Sequence, residues 1–318
     1  MRGPRFDVEL TPGGYAWWYL DALSDDGRYG LTAIAFLGSV FSPYYSAARK
    51  ERGQVNPLEH VAINVVLSGP RNENAWVFTE RSATSVQRKL DELVIGRSRM
   101  AWDGDGLLLT LDEPTIGTPP LSKVGERLVG RIRLDPFMTY DAPQVLDLDG
   151  HHHWWPVAPR CRIEVDLGTP SLSFRGSAYH DTNWGDEPLE RGFRYWNWSR
   201  AQLAGGTAIL YDVEFRAGRR KDVGLMLRGT GDIDPFDAPV SVGLGKTVWG
   251  IPRRTRVTRG GRSTVRRSLV SSPFYSRAVL STSLAGESVE AIHEVVDLDR
   301  FTRGWVQWML RYKILRRP

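Results

Sequence analysis

The sequence predicts an all-β protein built from antiparallel barrels or sandwiches. Turn sequences rich in Gly, Asp, Asn and Pro recur at short intervals along the 318 residues, among them "TPGG", "SDDG", "WDGDG" and "LAGG". The segments between these turns are short and rich in Val, Ile, Tyr, Trp and Leu, which is typical of β-strands. Strands do not alternate with long helical patterns, so a parallel α/β sheet is not indicated.

In chain order, the strand-like segments of the first half are "GYAWWYLDAL", "YGLTAIAFL", "EHVAINVVL", "GLLLTLDE" and "RLVGRIRLD". "LLLTLDE" and "RIRLD" alternate apolar with polar residues, which predicts strands with one buried face and one wet face. One segment departs from this pattern. "TSVQRKLDELVIG", which begins at Thr84, is predicted to form a short helix.

The second half continues with "RCRIEVDL", "TAILYDVEF" and "DVGLMLRG" as strands and a second short helix after Arg300. The two halves join at "DLDGHHHWWPVAPRC", where Gly150, Pro156 and Pro159 are expected to interrupt regular structure. We therefore place a domain boundary near residue 158. This gives an N-terminal β domain at 1–157 and a C-terminal β domain at 158–318 that carries the main acid–base cluster.

The composition is that of a folded, soluble protein, with 41% hydrophobic and 25% charged residues. The single cysteine, Cys161, excludes an internal disulfide, and the N-terminus lacks the pattern of a signal peptide. The most apolar run, "LTAIAFLGSVFSPYY", is shorter than the ~20 residues that span a bilayer. We therefore expect a cytoplasmic protein without a transmembrane segment.

Positive charge is distributed unevenly around a net charge of +5. There is no acid between Asp237 and Glu287, and none after Asp299, where "RGWVQWMLRYKILRRP" interleaves aromatic residues with cations. Aromatic and basic residues together suit an anionic lipid surface, which predicts peripheral association with the inner membrane through the C-terminus. A solvated basic face is the alternative. Nucleic acid is not indicated, because no helix-turn-helix, zinc-finger or RNP pattern accompanies the charge.

The segment "SAYHDTNWGDEP", residues 177–188, and the strands after it concentrate polar and aromatic residues around one histidine. Such a mixture is typical of a ligand site lined by both kinds of side chain. Turn formation and core packing are the alternative explanation for any one of these residues. The candidates are Tyr179, His180, Asp181, Asn183, Trp184, Trp196, Trp198, Tyr211 and Asp212.

Three consecutive histidines, residues 151–153, form a second candidate. Side chains on a strand alternate between faces, so the three cannot converge on one metal ion, and we predict no metal site. One of them, such as His153, could instead reach a cavity. Motifs for serine hydrolases, phosphate loops and dinucleotide binding do not occur, so no cofactor is expected and acid–base chemistry remains.

Several blocks of the chain resemble the carotenoid 1,2-hydratase family, also called hydroxyneurosporene synthase. They include "HWWPVAPRCRIEVDL", "YHDTNWGDEPLERGFRYWNWSRA", "AILYDVEF", "SPFYSRAVL" and "HEVVDLDRF", and the likeness runs from about Pro12 to Phe301. The resemblance implies two lipocalin-like β-barrel domains with the site near their junction. It also implies addition of water across the terminal C1=C2 double bond of an acyclic carotenoid such as lycopene or neurosporene, without metal or redox cofactor.

Such a hydration needs a proton donor at C2, a stabilised tertiary cation at C1 and a bound water. A carboxylic acid stays protonated near neutral pH when burial in an apolar pocket raises its pKa, and aromatic faces stabilise a cation by ~0.5–2 kcal/mol each. Asp212 interrupts the apolar strand "AILYDV" and is the predicted acid. An outward-facing acid beside Glu214 is the alternative. Because strands alternate, Tyr211 should face away from Asp212 unless a bulge intervenes.

The resemblance further implies a histidine and a tryptophan beside the acid. Trp184 matches the tryptophan, whereas the histidine is either His180 or is replaced here by Thr182. In the second case His153 supplies the histidine, or Asn183 positions the water. Two rival functions remain open: a pericyclase or other terpenoid-modifying enzyme on the same scaffold, and a lipocalin-like carrier of an apolar ligand.

Overall fold

The protein is described from a computed structural model that covers residues 3–70, 73–116 and 126–317. Most of these residues lie in antiparallel strands, with a few short helices, so the all-β prediction is confirmed. The chain forms two compact units. The first consists of Met1–Pro188 and Trp308–Pro318, and the second of Leu189–Gln307.

In the described residues, the first unit contains the helix α1 (Pro43–Arg52) and a large curled sheet. Its strands before the second unit begins are β1 (Tyr15–Ser24), β2 (Gly30–Leu37), β3 (Val61–Ser68), β4 (Ala75–Arg81), β5 (Val86–Arg88), β6 (Glu92–Ile95), β7 (Ser98–Asp103), β8 (Gly106–Pro114), β9 (Arg127–Pro136), β10 (Gln144–Val145), β11 (His152–Thr169) and β12 (Ser171–Gly185).

The second unit contains two short helices, α2 (Leu189–Gly192) and α3 (Leu298–Phe301), and a sheet of seven strands beside a separate hairpin. Its strands are β13 (Phe193–Leu203), β14 (Gly206–Phe215), β15 (Arg220–Leu227), β16 (Ile233–Pro235), β17 (Val240–Lys246), β18 (Pro252–Val257), β19 (Ser263–Ser271), β20 (Tyr275–Leu284) and β21 (Glu287–Asp297). The sheet order is β16-β15-β14-β13-β21-β20-β19, and β17 pairs with β18.

The chain ends with α4 (Gly304–Arg311) and β22 (Leu315–Arg316), which pairs in parallel with β4. The helix predicted after Arg300 is therefore present. The order of the first sheet is β22-β4-β3-β2-β1-β12-β11-β9-β8-β7-β6-β5, with β10 beside β11. In the described part of the chain, no helix has the length and apolar character needed to cross a bilayer.

Alternation along β1 shows how the first sheet encloses its core. Ala16, Trp18 and Leu20 belong to the main hydrophobic cluster of the unit, while Tyr19 and Asp21 lie on the opposite face. Both faces of β1 are buried, because Asp21 is as inaccessible as Leu20. The sequence of β1 is therefore almost entirely apolar and aromatic, with few polar residues.

The expected boundary near residue 158 falls in the middle of β11. Pro156 and Pro159 do not end this strand. They lie at two register shifts in its pairing with β12, between Trp155 and Ala158 and between Ala158 and Cys161. Proline is tolerated at such irregularities because the missing N–H is not needed there. As β12 then continues to Gly185, the units divide after Pro188 instead.

The helix predicted for "TSVQRKLDELVIG" is wrong. The segment forms the hairpin β5–β6, in which Val86 pairs with Ile95 and Arg88 with Leu93. Leu93 and Ile95 are buried at the two-residue spacing of a strand. Tertiary pairing thus overrides a weak helical pattern, since intrinsic propensity is a small term.

Candidate active site

A cavity of about 460 Å³ lies in the first unit and is lined by residues of β1, β11, β12 and the N-terminal segment. Its volume is within the range of small-molecule sites. Aromatic side chains provide much of the wall, and histidine and threonine side chains add polar groups to it. These residues are Tyr15, Trp18, Trp155, Trp184, His153 and Thr182.

Trp184 and His153 form one side of this cavity. They are direct partners in the pairing of β11 with β12, and their rings stack with centroids 5.0 Å apart and planes 2° from parallel. Cross-strand contact of this kind holds both rings in one orientation. The structure therefore places these two candidates together on the cavity wall.

Thr182 and His180 share a face of β12 with Trp184, but only Thr182 reaches the cavity lining. The Thr182 hydroxyl donates to the Trp17 carbonyl at 2.8 Å. His180 lies deeper, where its Nδ1 donates to the Tyr19 carbonyl at 2.8 Å and its ring meets the Trp102 ring edge-on. Burial lowers the pKa of His180 to about 4, so the ring is neutral near pH 7.

Tyr179, Asp181 and Asn183 lie on the other face of β12 and do not line the cavity. The Tyr179 hydroxyl and the Trp154 indole N–H both donate to Asp181 Oδ2, each at 2.9 Å. Burial, followed by the nearby Asp181 charge, raises the pKa of Tyr179. Tyr179, Trp154 and Asp181 thus form a buried hydrogen-bond network.

The other two histidines have separate partners near the cavity. His151 hydrogen-bonds Asp186 at 2.7 Å, and this bond raises the pKa of His151. His152 instead hydrogen-bonds the Tyr15 hydroxyl through Nδ1 at 2.9 Å, and burial lowers its pKa to about 4. The side chains of the three consecutive histidines thus lie in three different environments.

Asp212 lies on β14 in the second unit, on the same strand face as the core residue Leu210. Its carboxylate meets Arg256, with Oδ1 and Nε 2.7 Å apart. Burial raises the pKa of Asp212 to about 6, although the positive charge of Arg256 opposes this rise. The adjoining pocket of about 110 Å³ is also lined by Asn197, Asp222 and Arg254. The expectation of apolar surroundings is therefore wrong, because charged side chains surround this carboxyl.

Trp196, Trp198 and Tyr211 are buried on the face of the second sheet opposite Asp212. The pairing of β14 with β15 runs without a bulge from Thr207 to Glu214, so Tyr211 and Asp212 face opposite sides as alternation predicts. Trp196 meets Tyr211 edge-to-face, with ring centroids 6.2 Å apart. Trp198 is the direct backbone partner of Tyr211 in the pairing of β13 with β14.

Several residues of the cavity were not among the sequence candidates. Tyr15 and Trp18 come from "GYAWWYLDAL", and Trp155 from the histidine-rich segment. Trp18 could have been inferred from its period-two spacing with Ala16 and Leu20, which marks the inner face of β1. The N-terminal contribution of Val8 and Leu10 carries no comparable pattern, because this segment has no regular structure.

The fold and these side chains define an antiparallel β protein with an aromatic-walled cavity in one unit and a buried carboxyl of raised pKa in the other. The family model for the carotenoid hydratase CrtC matches residues 33–318. The chain belongs to this family. The expectation of a carotenoid hydratase is thereby confirmed at the level of the family.

Individual relatives agree with this assignment. The acyclic carotenoid 1,2-hydratase of Thiocapsa roseopersicina is 45% identical over 316 residues, which cover 99% of this chain and 76% of the relative. The enzyme of the same name from Rubrivivax gelatinosus is 42% identical over the same shares. Among solved structures, kievitone hydratase from Nectria haematococca aligns with a TM-score of 0.55 at 10% identity, covering 94% of this chain and 99% of that one. This last likeness concerns the fold.

Proposed function

We propose that the protein adds water to the terminal C1=C2 double bond of an acyclic carotenoid of the lycopene or neurosporene type. The observation that carries the proposal is the indole-walled cavity of the first unit, because flat aromatic faces suit a long apolar polyene. The names of the two relatives support the same substrate class.

In this proposal the cavity of the first unit binds the polyene. The faces of Trp18, Trp155 and Trp184 pack against the apolar chain of the polyene. The Thr182 hydroxyl already donates to a carbonyl, so its oxygen is left to accept a hydrogen bond from water. His153, held against Trp184, takes the role of the family histidine and orients this water.

Asp212 is the proposed proton donor, because its raised pKa keeps part of the population protonated near neutral pH. Its proton is transferred to C2 while the π electrons form the new C–H bond, which leaves the cation at C1. Water then bonds to C1, and the proton that this water loses restores the carboxylic acid. The product has gained one water and carries a tertiary hydroxyl.

The test is incubation with lycopene or neurosporene in detergent, with mass spectrometry for the gain of one water. Asp212→Asn should abolish turnover while preserving the fold. Asp237→Asn is the matched control, because Asp237 is an exposed acid of the same unit that does not line the Asp212 pocket, and this variant should remain active. Turnover by Asp212→Asn would remove Asp212 from the acid role.

Other outcomes of the same assay would favour the rival functions. A product of unchanged mass would indicate a pericyclase or another terpenoid-modifying reaction. Tight binding without any chemical change, unaffected by Asp212→Asn, would indicate a carrier.

We further propose that the protein collects this apolar substrate at an anionic membrane surface through its basic, aromatic C-terminus. Along α4, Val306 and Leu310 are buried, whereas Trp305 and Trp308 are exposed on the opposite side, and Trp308 has 60% of its surface accessible. A helix with aromatic and basic residues facing outward suits the bilayer interface. Sedimentation with anionic vesicles should show binding that weakens as salt is added and that Trp308→Ser reduces.

A further inference from the structure

The turn between β17 and β18 carries two adjacent apolar residues on the surface of the second unit. Val248 has 92% of its surface accessible, and Trp249, beside it, has 38%. Single exposed apolar residues are normal on soluble proteins, but a contiguous apolar patch marks an interaction site. These two residues are therefore candidates for contact with an apolar partner.

Hydrogen bonds hold this turn in one shape. The Thr247 N–H donates to the Ile251 carbonyl at 2.9 Å, and the Gly250 N–H donates to the Thr247 carbonyl at 2.8 Å. The Ile251 N–H donates to Thr247 Oγ1 at 3.1 Å, and the Ile251 side chain is fully buried below the turn. An apolar tip that is already ordered loses little conformational entropy when it binds.

Residues of α3 and α4 contact the turn between β17 and β18. Arg300 of α3 donates to the carbonyls of Trp249 and Gly250, at 2.6 and 3.2 Å. The Trp249 ring stacks on Trp305 at the start of α4, with centroids 6.3 Å apart. Val248, Trp249 and Trp305 thus form one surface of the second unit, which we call the insertion surface.

The charge around the insertion surface is positive. Its residues come from the two acid-free stretches of the sequence, which the contacts of Trp249 with Trp305 and Arg300 bring together. Lys246 and Arg254 are exposed on the hairpin, and Arg303 is exposed before α4. The acids of the α3 region are already paired, since Asp297 contacts Arg300 and Asp299 contacts Arg194 and Arg216.

We propose that the insertion surface enters the interfacial region of an anionic lipid bilayer, with Lys246, Arg254 and Arg303 at the level of the headgroup phosphates. An apolar tip beside cations matches the arrangement of acyl chains below anionic headgroups. This inference rests on the proposed membrane association. It adds a second membrane contact, made by the β17–β18 turn, to the contact proposed for the exposed side of α4.

The first test is flotation with vesicles of phosphatidylcholine, pure or mixed with phosphatidylglycerol. Val248→Asp should weaken partitioning to the anionic vesicles by about tenfold, because it removes an apolar side chain that the bilayer would bury and adds a charge that the anionic lipids repel. Leu148→Asp is the matched control, as Leu148 is exposed in the first unit and the same charge is added there. Equal binding of Val248→Asp and the unchanged protein would overturn the proposal.

A second test reads the depth of the tip directly. The single native cysteine, Cys161, is buried, so a thiol-reactive, polarity-sensitive dye on Val248→Cys reports on the tip alone. Its emission should shift to shorter wavelength on anionic vesicles, and the dye on Leu148→Cys should not respond. An unchanged emission at 248 would overturn the proposal.

Size-exclusion chromatography tests whether the insertion surface contacts a second copy of the chain instead of a bilayer. If Val248→Asp converts a dimer into a monomer and leaves vesicle binding intact, the surface joins two copies of the chain and the bilayer proposal is wrong. A monomeric protein with impaired vesicle binding would support it.

Activity distinguishes this inference from the proposed reaction. Val248→Asp should hydrate carotenoid in detergent at the normal rate and carotenoid in anionic vesicles about tenfold more slowly. If the unchanged protein hydrates no carotenoid in either medium, the reaction is wrong, whereas flotation and dye emission still decide the insertion surface.

Discussion

At the Asp212 carboxyl, burial and a neighbouring guanidinium act in opposite directions. Burial raises the pKa and the Arg256 charge opposes this rise, and together they leave the pKa at about 6. The carboxyl is therefore protonated in only part of the population near neutral pH. A general acid works only while it holds its proton. We therefore expect kcat to fall as pH rises through about 6, measured as a pH–rate profile with carotenoid in detergent.

The Arg256 guanidinium offers a second test of this balance. Arg256→Met removes the charge that lowers the pKa of Asp212, so the alkaline limb of the kcat profile should move to higher pH. Arg220→Met, which removes a partner of Glu214 in the same pocket, is the control and should leave the limb in place. An unshifted limb in Arg256→Met would contradict a role for Asp212 as the acid.

The indole of Trp184 is expected to act through its face. Trp184→Leu removes both the stack on His153 and one aromatic wall of the cavity that binds the polyene, so kcat/KM should fall by about tenfold or more. Trp184→Phe keeps an aromatic face and should retain more of the activity. Steady-state kinetics on the two variants measure the difference, and equal kcat/KM values would show that the ring acts only by filling space.

At the scale of the element, the pairing of β1 with β12 depends on one close approach. A Cβ at Gly176 would lie 2.0 Å from the Leu23 carbonyl oxygen, which belongs to the paired backbone and cannot move without disturbing the register. Gly176→Ala should lower the free energy of unfolding by about 1–3 kcal/mol, measured by urea denaturation. Gly168→Ala is the control on β11, because a Cβ there meets no atom within 4 Å.

Other strands show how far the alternation of apolar and polar residues predicts the elements. Period-two alternation in "RIRLD" and "RIEVD" indicates the wet and buried faces of β9 and β11, and it also separates Tyr211 from Asp212 on β14. It fails for the β5–β6 hairpin, where Val86, Leu93 and Ile95 fit a short helix as well as two short strands. Only pairing with neighbouring strands distinguishes the two, and pairing is a long-range contact.

At the scale of the whole molecule, buried histidines govern acid stability. Burial lowers the pKa values of His152, His180 and His293 to about 4, from an ordinary value of 6.5. Between these values the unfolded chain binds more protons than the folded one, so stability is present above about pH 6.5 and is lost as pH falls towards 4. Each histidine contributes about 3 kcal/mol at most.

Urea denaturation at about pH 7 and pH 5 should therefore give a clearly lower midpoint at pH 5. His180→Gln should flatten this dependence, because one of the three groups no longer titrates. Asp212 acts in the opposite direction, since its raised pKa favours the folded state below about 6. Equal midpoints at the two pH values would contradict the burial of these histidines.

Composition, turn spacing and alternation determined the β class, the terminal helix and the opposite faces of Tyr211 and Asp212, because these follow from neighbours in the chain. The family blocks likewise depend on residue order alone, and the family match confirmed them. Tertiary structure decided three other features. These are the division of the chain after Pro188, the presence of Thr182 rather than His180 at the cavity, and the guanidinium beside Asp212. Each of these depends on contacts between strands far apart in sequence, where register and burial, rather than residue type, choose which side chains meet.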